Sequence, residues 1–182
     1  NGNAGAITVP PGAYGEFTAN GGGSFTLGIA GATTPAVYHF RRLTLNGSSR
    51  LDVAGPVIVT LAEDVSANGS LGHSAHPAWL SLKFASGGLT LNGNVSVYGY
   101  VTAPSGTVTI NGHAQLVGGL IADQLTVNGH GLLRLLAPPL PFLANFEPAE
   151  GYQPGLLHGQ NGWSVTGPAS IVASPVYAGL QA

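Results

Sequence analysis

The sequence predicts an all-β protein, a right-handed parallel β-helix (β-solenoid) of about six coils followed by an extended tail. Three observations carry this prediction. A five-residue pattern, apolar–Thr/Ser–apolar–Asn–Gly, occurs six times along the chain. Between its copies, apolar and polar residues alternate over short runs bounded by Gly, Asn and Pro, which is the period of strands and not of helices. Charged residues form only 7% of the chain while 44% is hydrophobic, and 29 of the 182 residues are glycine. That composition excludes disorder and suits a turn-rich fold with a real core.

The repeats come first because they decide the topology. They run Phe17-Thr18-Ala19-Asn20-Gly21, Leu43-Thr44-Leu45-Asn46-Gly47, Val65-Ser66-Ala67-Asn68-Gly69, Leu89-Thr90-Leu91-Asn92-Gly93, Val108-Thr109-Ile110-Asn111-Gly112 and Leu125-Thr126-Val127-Asn128-Gly129. Their starts are 26, 22, 24, 19 and 17 residues apart, too short for a propeller blade and right for one coil of a solenoid. In that geometry the two apolar positions of each copy point inward and stack into ladders, so Leu45, Leu91, Ile110 and Val127 should lie inside. The Thr or Ser points outward, where β-branching suits a pleated surface. Asn tolerates the left-handed conformation and Gly supplies positive φ cheaply, so the pair turns the corner. Stacked Asn side chains should then form an amide ladder.

Behind each late Asn-Gly a second strand is expected, such as Val95–Tyr98 or Ala114–Val117, and then a third, Tyr100–Ala103 or Leu120–Ala122. Coils stack about 4.8 Å apart. The insertion from Leu71 to Pro77 is expected as a flexible loop. The solenoid spans 1–137, a Pro-rich linker follows at 138–144, and 145–182 forms an extended β-rich tail. Three strand-like pieces lie in that tail, Trp163–Thr166, Ser170–Ala173 and Val176–Leu180. It is too short for its own core and too apolar to stay solvated. Its apolar side chains must be covered either by the chain's own solenoid flank or by a neighbouring copy. The neighbour is favoured because the last coil ends at Pro138-Pro139, so Phe146, Trp163, Ile171, Val172, Tyr177 and Leu180 are candidate subunit contacts, through strand addition.

The run from Leu89-Thr90-Leu91-Asn92-Gly93, through Val97-Tyr98-Gly99 and Ala103-Pro104, to Val108-Thr109-Ile110-Asn111-Gly112 resembles a family of exported bacterial β-helix domains with no assigned function. A Pro-Pro-Gly-x-Tyr entry (Pro10 to Tyr14) and a Gly-Gly-Leu-Ile-Ala turn (Gly118 to Ala122) belong to the same resemblance, which covers about residues 6–136. It implies export and fold, and brings no catalytic residues. The stretch Phe146 to Tyr152, with Gly159 to Trp163, is similar to the opening of lectin-like β-sandwich domains. Only 38 residues follow Ala144, so a complete sandwich is not expected.

A formal net charge of −2 gives no electrostatic reason to hold nucleic acid, and the five basic residues form no patch beyond Arg41-Arg42. No apolar run is long enough for membrane insertion as a helix. The chain has no cysteine and no methionine, and its single lysine is Lys83. The missing start Met and scarce Lys point to export, to the extracellular space or the cell surface, and the resemblance implies a bacterial source.

Catalysis on polysaccharide would need neighbouring carboxylates. Glu63 and Asp123 hold equivalent places but three coils apart, about 14 Å against the roughly 5–9.5 Å of glycosidase pairs. Glu63 and Asp64 should point to opposite faces. His113 and His130 each follow Asn-Gly one coil apart and should stack about 4.8 Å from each other, with Asn94 in the preceding coil, short of a three- or four-ligand metal site. The hydroxyl rank of Thr18, Thr44, Ser66, Thr90, Thr109 and Thr126 is of the kind ice-binding solenoids use, but β-propensity accounts for it. Trp79, Tyr98, Tyr100 and Trp163 could stack on sugars, but such residues more often cap cores or bury at subunit contacts. No catalytic, cofactor-binding or metal-binding residue is therefore assigned. The expected function is that of a structural, self-associating extracellular protein, a filament or surface subunit whose partner is itself, assembling head to tail. The alternative is an adhesin or carbohydrate-binding module of a larger secreted protein, recognising surface glycans.

Overall fold

A computed structural model describes residues 7–136 and the backbone of two short strands at 155–156 and 170–171. The chain divides into two compact units, 1–139 and 140–182. The first unit begins with β1 (Ile7–Thr8), β2 (Gly12–Ala19), β3 (Ser24–Leu27), β4 (Ala36–Leu45) and β5 (Arg50–Val53). It continues with β6 (Val57–Leu61), β7 (Val65–Ala67), β8 (Ser70–Leu71), β9 (Leu80–Phe84) and β10 (Leu89–Leu91). It ends with β11 (Ser96–Ile110), β12 (Gln115–Val127) and β13 (Leu132–Leu135). In the second unit β14 (Gly155–Leu156) pairs antiparallel with β15 (Ser170–Ile171).

Every pairing in the first unit is parallel and joins one coil to the next, giving a β-solenoid of about six turns with three faces. The face that carries the repeats aligns Phe17, Leu43, Val65, Leu89, Val108 and Leu125 in one ladder. Ala19, Leu45, Ala67, Leu91, Ile110 and Val127 form a second, with the Thr/Ser rank between them facing out. The second face stacks Ile7, Phe25, Leu51, Leu71, Val97, Leu116 and Leu133. The third stacks Tyr38, Val59, Leu82, Val101 and Leu120. Apart from Ile7, Leu125 and Val127 in the outermost rungs, alternation puts these side chains in or against one continuous hydrophobic core.

In the late coils the strands expected as separate pieces run together. The 15 residues of β11 cross two corners as one strand, because Gly99 turns the first without breaking the burial alternation. A register shift between Ala103 and Thr107 marks the second.

The two ends of the solenoid differ. At the N-terminal end, aromatic rings close the core: Phe17 lies 4.7 Å from Phe25 and 5.1 Å from Phe40, and Tyr14 lies 5.4 Å from Phe40. The buried Tyr38 hydroxyl accepts from Gly28 N–H at 2.8 Å and donates to Val9 O at 3.0 Å, so its polar tip is satisfied inside. At the C-terminal end, Val127 is not inside as its ladder position predicts; it is 45% exposed, as is Leu125. Among the described residues no further strand stacks on that face, so the last rungs have a neighbour on one side only. Leu45, Leu91 and Ile110 are fully buried.

Candidate functional site

The corners that follow the repeat carry most of the polar order. Five of the six repeat glycines, Gly21, Gly47, Gly93, Gly112 and Gly129, have positive φ, which a side chain would strain. Asn46 Nδ2 donates to Asn20 Oδ1 at 2.9 Å, Asn111 to Asn92 at 3.0 Å, and Asn128 to Asn111 at 2.8 Å. The amide ladder is thus interrupted at the third coil. Asn92 turns its amide to Ser66 Oγ at 3.3 Å, and the Asn68 side chain has no partner among the described residues.

The cause is a deletion. From Leu45 to Leu51, and from Leu91 to Val97, the chain takes six steps between the first and second faces. The third coil makes the same crossing in four, from Ala67 to Leu71. Gly69 lies flat against the coil before it, and a Cβ there would stand 2.5 Å from both Ser49 O and Ser49 Oγ. The missing residues leave a slot of about 480 Å³ between the second and fourth corners.

The opposite edge holds an ion-pair network. Arg41 bonds Glu16 at 2.7 Å and Glu63 at 3.0 Å, and Arg42 bonds Glu63 at 2.8 Å, linking three successive coils. The two arginines therefore belong to an ion-pair network and not to an isolated pair. The Arg42 guanidinium bonded to it holds the Glu63 carboxyl below its ordinary range, and Glu63 in turn raises Arg42. Asp64 reaches the other way, accepting from Gly88 N–H at 2.6 Å. Glu63 and Asp64 thus serve different coils.

His113 and His130 stack with ring centroids 4.8 Å apart and 8° between planes. No group of three or more metal-ligating side chains occurs among the described residues. The insertion holding His73 and His76, expected as a flexible loop, is compact. Its backbone bonds run from His76 N–H to His73 O and from Trp79 N–H to His76 O, through a short 3₁₀ turn at Pro77–Trp79. His76 stacks on Trp79 at 4.0 Å, and Trp79 packs against the core. Local ring stacking and the Pro-started turn order the segment.

The C-terminal coil is the other candidate surface. Ile121 is 61% exposed and Leu135 66%, with Leu125, Val127 and Leu132 beside them in the last rungs. The tail contacts expected at Phe146, Trp163, Val172, Tyr177 and Leu180 lie outside the described residues, as does the side chain of Ile171. No helix among the described residues is long and apolar enough to cross a membrane. Compared with models of known families, with curated proteins and with solved structures, the chain finds no match.

Proposed function

We propose that the chain is a structural, self-associating protein, a non-catalytic subunit of an extracellular filament or surface assembly. The supporting observation is the pair of unlike ends. One end offers a row of half-exposed aliphatic side chains, Leu125, Val127, Leu132 and Leu135, on strands whose outer edge is unpaired among the described residues. The other offers the strand edges of β1 and β2, backed by an aromatic core. Exposed parallel edges of this kind are templates for strand addition. A contact between unlike ends is heterologous, and where its rotation does not close it propagates as a filament. The low charge of the chain, 7%, offers little electrostatic resistance to that contact.

Imaging by negative stain and sedimentation test this reading. The full chain should form rods or oligomers that lengthen with concentration, and Leu125→Lys with Val127→Lys should leave folded monomers. A wild-type chain that stays monomeric across the range, or a doubly substituted one that assembles equally, refutes it. Truncation after Leu143 tests whether residues 145–182 link the molecules. Assembly by the shortened chain as long and as stable as that of the full chain would exclude that role.

A further inference from the structure

We infer that the slot at the third corner is a binding site for a neutral saccharide. The inference is independent of the end-to-end contact, since the slot lies on the flank of the solenoid and not at its ends. Four polar side chains around it are largely unused by the fold. Ser48, Asn68 and Asn94 make no side-chain hydrogen bond among the described residues, and Arg50 has only a loose contact, 3.7 Å, with Asp52. In the other coils the repeat's own Asn amide is engaged in the ladder, so the free Asn68 amide follows directly from the shortened corner.

A second observation points to a ligand. Ser49 also lines the slot and is 1% exposed, yet its hydroxyl has no hydrogen-bond partner. A buried hydroxyl without a partner is rare in folded proteins because its lost hydration is not repaid. It lies directly beneath Gly69, where a Cβ would stand 2.5 Å from it, so a ligand hydroxyl in the slot meets it only with a small shift of that glycine's backbone.

The lining selects the class of ligand. No carboxylate and no imidazole lines the slot, which removes the usual donors for a cation. Its one cation, the Arg50 guanidinium, is partly balanced by Asp52 at 3.7 Å and stands alone among neutral amides and hydroxyls, a lining poorer in charge than carboxylate or phosphate sites. Two amides, each with a donor and an acceptor side by side, together with serine hydroxyls, match the alternating donors and acceptors of neighbouring sugar hydroxyls. With no aromatic ring in the lining, the sugar is held by its edges and not by stacking. The volume is at the small end of ligand sites and accommodates about one or two pyranose rings.

The test uses the full chain with glucose, galactose, mannose, N-acetylglucosamine and maltose as probes, read by saturation-transfer NMR and titration calorimetry. At least one should bind, with Kd on the order of millimolar. Asn68→Ala and Asn94→Ala should each weaken it about tenfold while melting stays unchanged, because neither side chain supports the fold. A Ser-Ser insertion between Gly69 and Ser70, which restores the six-step corner, should abolish binding. The proposal is overturned if none of the five sugars binds at about 50 mM. Binding that persists undiminished in both alanine variants overturns it equally, whether or not the insertion variant folds.

Discussion

Truncating one ladder at two heights measures how closed the solenoid is. Leu91 is fully buried, with Ala67 on the rung before it and Ile110 on the rung after. In Leu91→Ala two small residues become consecutive, and the void cannot collapse because hydrogen bonds on both sides fix the strand spacing. The cost should fall in the upper part of the range for such truncations, about 4 kcal/mol. Val127 sits in the same ladder but is 45% exposed and, among the described residues, has a ladder neighbour on one side only. Val127→Ala removes two methyl groups worth about 0.8 kcal/mol each when fully buried, so roughly half of that is at stake, about 0.9 kcal/mol. Urea denaturation at low protein concentration, with m-values compared to confirm a common unfolded state, reads both. A total stability of about 5–15 kcal/mol leaves Leu91→Ala marginal and Val127→Ala nearly unaffected. Equal costs at the two positions would refute the open final coil. If copies associate through that coil, the Val127→Ala penalty should grow with concentration while that of Leu91→Ala does not.

Two further perturbations test the flanks. The folded-state pKa of Glu63 is depressed, so its contribution to stability is present above the unfolded value near 4.5 and is lost as pH falls through the folded pKa. Melting temperature followed between about pH 7 and about pH 3 should therefore fall more for the wild type than for Glu63→Gln, and added salt should shrink the difference because the partners are half-exposed. At Gly106 a Cβ would overlap the backbone carbonyl of Gly87 in the adjacent coil, so Gly106→Ala should cost about 3 kcal/mol or more. Gly93→Ala meets open space and only the strain of φ +75, about 1–2 kcal/mol, a contrast that thermal unfolding of the two variants should show.

What the sequence revealed was whatever repeats at one-coil spacing. The inward pairs, the outward Thr rank and the His113–His130 stack all follow from counting residues after Asn-Gly. The shortened third corner was not legible, because the insertion around His73 and His76 more than makes up for the deletion. The spacing from Val65 to Leu89 therefore looks ordinary at 24 residues. The Glu16–Arg41–Glu63–Arg42 network was missed for another reason. Its members lie at the variable corner between the third and first faces, 21 to 25 residues apart, where no repeat residue marks the register. The exposure of Val127 is a property of ladder position, not residue type: in the sequence the sixth copy looks like the second.

The parallel stacking of each coil on the one before also dictates how the chain can be made. No strand in the first unit waits for a distant partner, since paired residues lie about one coil apart in sequence, from Ile7 with Phe25 to Leu116 with Leu133. Closing so short a loop is entropically cheap, and lengthening it from 17 to 26 residues adds only about 0.4 kcal/mol. Each coil, once formed, presents the edge that the next one needs, so the fold can advance in the direction of synthesis with a template always at its tip. The edge that is unpaired among the described residues is that growing tip, at the last copy of the repeat. A second molecule arriving there would meet the same hydrogen-bonding surface that ordered each coil of the first.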